Sequence, residues 1–96
     1  MPGAVRIGDF NSAGGLAVGA GASSVFINGR PACTPFTSVT PHPCCGLPGC
    51  AIHCAAITTI GSTRVLVEGK PLVYQGSPDS CGHARANSSS DVIVGI

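Results

Sequence analysis

Ninety-six residues make at most one small domain, which buries a modest share of its surface. The apolar fraction of 44% leans on Ala, Val and Cys, with three Phe, one Tyr and no Trp, so a disulfide or metal staple is expected. Five basic and four acidic residues, formal charge +1 and no charge run exclude a strong grip on a phosphate backbone or an anionic membrane.

Fourteen Gly and eight Pro favour turns and strand ends over long helices. The alternating β-branched runs argue against disorder. No leader of signal-peptide type opens the chain and no stretch approaches the roughly 20 apolar residues of a membrane span. The expectation is a soluble protein made in the cytoplasm without a signal peptide.

In chain order, Ile7-Gly8-Asp9 comes first, and the glycine-rich run from Gly14 to Gly21 lacks the residues of a phosphate-binding loop. Val25-Phe26-Ile27-Asn28-Gly29-Arg30-Pro31 then reads as strand, tight turn and strand, because Asn-Gly supplies two positive-φ residues. Thr37 to Gly49, with prolines at 41, 43 and 48, reads as an ordered loop. Ala51 to Ile57 is the longest helix candidate and a poor one. The hairpin phrase returns as Val65-Leu66-Val67-Glu68-Gly69-Lys70-Pro71, with a weaker turn signal in Glu-Gly. A truncated third copy, Ser89-Ser90-Asp91-Val92-Ile93-Val94-Gly95, closes the chain, and three copies indicate an internal repeat. Val25/Ile27 and Val65/Val67 point to one face, Phe26 and Leu66 to the other.

The chemistry is concentrated in the cysteines and histidines. His42, Cys44, Cys45, Cys50, His53 and Cys54 crowd together, and Cys81-Gly82-His83 follows. Structural zinc takes four thiolate or imidazole ligands. His42, His53, Cys81 and His83 form one such set, tying the last third of the chain to its centre. A more local set would use Cys44 or Cys45 with Cys50, His53 or Cys54. Disulfides among Cys33, Cys44, Cys45, Cys50 and Cys54 remain open, since six cysteines allow fifteen complete pairings. Cys33, away from any histidine, reads as a plain buried thiol. Asp9 and Asp79 precede Gly- and Ser-rich turns and read as turn caps. Cys81 and His83 could serve as nucleophile and base, but no third orienting group and no paired carboxylates accompany them, so no catalytic residue is assigned.

From residue 5 to 96, the ordered set Ile7-Gly8-Asp9, the two hairpin phrases, His53, Ile60-Gly61-Ser62, Cys81-Gly82-His83 and Val92-Ile93-Val94-Gly95 resembles the PAAR-repeat proteins, the spike-tip proteins of contractile phage tails and type VI secretion systems. The resemblance implies an all-β cone of three short hairpin-like repeats around a pseudo-threefold axis, forming one domain over residues 1–96. It implies one structural zinc ion near the apex, held by three His and one Cys, which selects His42, His53, Cys81 and His83. It also implies a trimeric β-helical spike as partner, one tip per trimer, and transient contact with a target membrane. The first unit departs from the family in carrying Asn11-Ser12-Ala13-Gly14-Gly15 where many members have His.

The expected function is a structural, non-enzymatic, membrane-piercing tip on a phage tail spike or a type VI secretion spike. With the chain closing one residue after the last repeat glycine, a mechanical role is expected. The rival readings are a zinc-binding or disulfide-stabilised interaction module unrelated to a spike and, more distantly, a thiol-based or metal-assisted enzyme. Neither rival has an evident need for three hairpin copies.

Overall fold

The computed structural model describes residues 2–42, 46, 48 and 53–94. These contain six two-residue strands and isolated bridges, with no α-helix among them. The strands are β1 (Ala17–Val18), β2 (Phe26–Ile27), β3 (Arg30–Pro31), β4 (Ser38–Val39), β5 (Leu66–Val67) and β6 (Lys70–Pro71). All three pairs, β1–β4, β2–β3 and β5–β6, are antiparallel. No helix among the described residues is long and apolar enough to cross a membrane.

Both repeated phrases fold as hairpins with the same turn. Asn28 and Gly29 take φ of 54° and 79°, Glu68 and Gly69 54° and 80°. Two consecutive positive φ values match the right-handed strand twist. Glu68 therefore does what Asn28 does, despite the weaker sequence signal. Its carboxylate accepts from the amide and hydroxyl of Ser23 and of Ser24, a contact from the second hairpin to the first. Asn28 makes the matching link from the first hairpin to the third, through Ser89 and Asp91.

The third copy is completed by the other end of the chain. Val94 donates its amide to the Pro2 carbonyl (2.8 Å) and Ala4 donates to that of Val92 (2.9 Å), with Gly3 opposite Ile93. Gly3 thus occupies the place of Pro31 and Pro71, which face Phe26 and Leu66. Just beyond the hairpins, three amides close a ring. Val5 donates to Val73, Val73 to Cys33 and Cys33 to Val5, at 2.9, 3.0 and 3.0 Å. That ring is the pseudo-threefold axis expressed in backbone bonds.

Burial follows the same symmetry. Ile27, Val67 and Val94 are buried with Ala4, Ala22, Ala32 and Leu72 in one cluster. Val5, Cys33, Val73 and Ala17 form a second, around the ring. Strand alternation leaves Phe26, Leu66 and Ile93 exposed at three equivalent places. With cores made of residues this small, many weak contacts and hydrogen bonds must hold the shape.

Each unit then turns and runs out to a loop. Gly8 donates to Ala17, Phe36 to Thr58 and Gly76 to Arg85, while Ala17, Thr58 and Arg85 donate back to Asp9, Thr37 and Ser77. Thr37–Val39, read from sequence as loop, is therefore paired, with Ser38 opposite both Val18 and Ile57. The first and third units close in the five-residue loops 11–15 and 79–83, where Asn11 bonds to the Gly15 carbonyl and Asp79 to that of His83, each at 2.8 Å. In the second unit the equivalent bond runs from Val39 to Ala56 and encloses a much longer segment. The molecule is all-β, elongated at 38 × 24 × 21 Å, with its His/Cys group gathered among these loops.

Candidate metal centre

The long second loop brings His42 and His53 together: their backbones bond at 3.2 Å, and His42 Nε2 stands 3.2 Å from His53 Nδ1. The third unit's short loop adds Cys81, whose Sγ is 3.5 Å from His42 Nε2, and His83. One donor atom from each of the four residues lies within 4.8 Å of every other. The rings stand 4.9–5.3 Å apart, centre to centre, the His42 ring nearly perpendicular to both others. The four residues singled out in the sequence thus converge from two loops.

Two of the imidazoles are oriented by further partners. His42 Nδ1 lies 2.8 Å from the Thr40 carbonyl, which can only accept, so Nδ1 carries the proton and Nε2 presents its lone pair to the group. His83 Nδ1 faces the Ser12 hydroxyl at 3.2 Å, leaving its other nitrogen for the centre. This is the usual way a ligating histidine is held. Burial, then the neighbouring His83 and His42, push the His53 pKa below its ordinary value, favouring the neutral ring that a cation requires.

The first unit contributes room and support to the cluster. A Cβ at Gly15 would stand 2.6 Å from His42 Nδ1, so the ring packs where a side chain would be. Asn11, buried, accepts from the amides of Ala13 and Gly15 and donates to Asp79, fixing its own loop against the third. Arg85, fully buried, pairs with Asp79 at 2.8 Å and donates to the carbonyls of Gly15 and Asp9. One guanidinium thereby links both short loops.

Asp9 and Asp79, read from sequence as turn caps, are the centres of buried ion pairs. Asp9 does cap its turn by accepting from the Arg6 amide, and it also binds the Arg6 and Arg30 guanidinium groups and Asn87. With so little apolar bulk, paired charges occupy space that a larger core would fill.

Cys33 is a free, fully buried thiol in the backbone ring, as expected, and burial raises its pKa. Cys54 is disulfide-bonded. The alternative ligand set and pairings through Cys44, Cys45 and Cys50 fall outside the described residues. Ser12, Gly15 and the Thr40 carbonyl were missed in the sequence. The only signal was the five-residue spacing shared by loops 11–15 and 79–83.

No curated protein matches the chain significantly. The family model described as the PAAR motif matches residues 7–84, which takes in both complete hairpins and all four clustered residues. The chain belongs to the PAAR-motif family.

Proposed function

We propose that the chain, acting as one domain, is a non-enzymatic tip that caps a trimeric β-helical spike, of a phage tail or a type VI secretion system, and leads it through a target membrane. The observation that carries this reading is the exposure of Phe26 (59%), Leu66 (60%) and Ile93 (50%) at three equivalent hairpin positions. One chain with three like patches is complementary to three identical subunits.

In this reading His42, His53, Cys81 and His83 hold one zinc ion. Tetrahedral zinc with bonds of about 2.0–2.3 Å separates its donors by roughly 3.3–3.6 Å. The 3.2 and 3.5 Å separations around His42 Nε2 fit that spacing. The metal supplies no reaction. It cross-links the second and third loops where there is little volume for a core, which stiffens the end that meets the membrane.

The test is to mix the purified chain with the C-terminal β-helical fragment of the spike encoded beside it and measure mass in solution. One tip per trimer is expected. A complex of three tips per trimer, or no complex with any trimeric spike of the same genome, overturns the capping role.

A further inference from the structure

The three seams between units are closed differently. In one, Ile7 donates its amide to the Pro31 carbonyl (2.9 Å), and Arg30 reaches the Asp9 carboxylate at 2.7 Å. In the next, Gln75 donates to the Gly3 carbonyl, again at 2.9 Å. By the repeat, the equivalent donor in the remaining seam would be residue 35, and the equivalent acceptor the Pro71 carbonyl; both residues line the same groove. Residue 35 is proline and has no N–H to give. Lys70 stands where the first seam has Arg30, and Thr37 where it has Asp9. Among the described residues no carboxylate pairs with Lys70.

A groove of about 680 Å³ opens at this seam, lined by Pro35, Phe36, Thr37, Lys70 and Pro71 with Val18 along its side. Phe36 is 78% exposed, and its φ is 66°. The equivalent turn residues are Gly8 and Gly76, at 94° and 96°. A bulky residue held left-handed and in solvent is costly, and such strain persists where it is used.

We infer that this groove docks one extended polypeptide segment bearing a carboxylate among apolar side chains. The segment supplies what the first seam takes from Ile7 and Asp9: an N–H for the Pro71 carbonyl and a negative charge for Lys70, which pairs with no carboxylate among the described residues. Its apolar side chains cover Phe36 and Val18. Main-chain bonding gives affinity and the flanking contacts give selectivity, as in strand addition generally. The open seam occurs once, so the ratio is one segment per chain. That separates this surface from the threefold hairpin patches.

The test titrates the isotopically labelled full chain with an N-acetylated, C-amidated heptapeptide of alternating valine and aspartate. A counterpart with lysine for aspartate serves as comparison. The acidic peptide is expected to saturate at or below about 1 mM, moving the amides of Thr34, Phe36, Thr37, Lys70 and Leu72. Thr37→Asp restores an internal partner for Lys70 and should weaken binding by about tenfold or more. Phe36→Gly, the residue already used at the sister turns, should keep the fold and also lose binding. Equal binding of both peptides, no saturable shift, or shifts confined to the loops around Ser12 and Cys81 would overturn the inference. So would unchanged affinity in a folded Phe36→Gly variant, which decides the matter alone if Thr37→Asp fails to fold.

Discussion

A methyl group at Gly15 would sit 2.6 Å from His42 Nδ1, so Gly15→Ala should expel that ring from the cluster while the hairpins stay folded. Elemental analysis of the variant should find the metal lost, against one zinc per chain in the parent. His83→Ala should do the same and lower stability by several kcal/mol, because structural metal binding is coupled to folding. Cys33→Ser should keep the metal, since Cys33 lies in the backbone ring, away from the cluster. Removing the Ser12 hydroxyl should weaken affinity by about 10–100-fold without abolishing it, the range for lost partners of ligating histidines. Acid should release the metal too. The His53 pKa is below its ordinary value in the fold, which favours the neutral ring, and metal affinity should decline as falling pH protonates the imidazoles in competition with the metal. A zinc-dependent melting temperature that does not change between about pH 7 and pH 4 would contradict this. The four clustered residues were legible because their types are chemically loud. Ser12 was not: it acts on a side chain 71 positions away, and Gly15 acts by having no side chain at all.

At the level of elements, the hairpins show how far local rules reach. Asn28-Gly29 announced its turn, and Glu68-Gly69 reached the same geometry through contacts outside its own hairpin. The hydrogen bonds from Ser24, then Ser23, lower the Glu68 pKa. With the folded value depressed, this link contributes fully above the ordinary glutamate pKa and is lost as pH falls through the folded one. Glu68→Gln should therefore be less stable than the parent near neutrality and show a shallower loss between about pH 5 and pH 3, read as the difference between the two melting curves. Parallel curves would mean that the carboxylate charge adds nothing. The third hairpin was harder to read. Its first strand was visible at Val92–Val94, but its partner is Pro2–Ala4, almost the full chain away. Arg30-Pro31-Ala32-Cys33 beside Pro2-Gly3-Ala4-Val5 carried the hint, in residues too ordinary to stand out.

The whole molecule depends on that closure, since a ring of three units has a gap unless the two ends of the chain meet. The resulting symmetry governs how a trimer would be held. Phe26, Leu66 and Ile93 differ in identity, which hides their equivalence in the sequence, yet each faces the corresponding residue of its own hairpin and each is about half exposed or more. If three identical subunits each take one patch, the patches should matter nearly equally. Phe26→Asp, Leu66→Asp and Ile93→Asp should then each weaken binding to the spike trimer by a similar factor. Each removes one apolar contact worth about 1–2 kcal/mol and places a charge in an interface of at least about 1,000 Å². All three variants should keep their metal and their fold, because none of these side chains belongs to a core cluster. Ile27→Asp is the control: it buries a carboxylate beside Val67 and Val94 and should unfold the chain. Binding measured by calorimetry on the three folded variants separates the outcomes. One dominant residue with two silent ones would mean that the partner approaches from the side and meets a single unit, which is incompatible with a cap seated on a threefold axis.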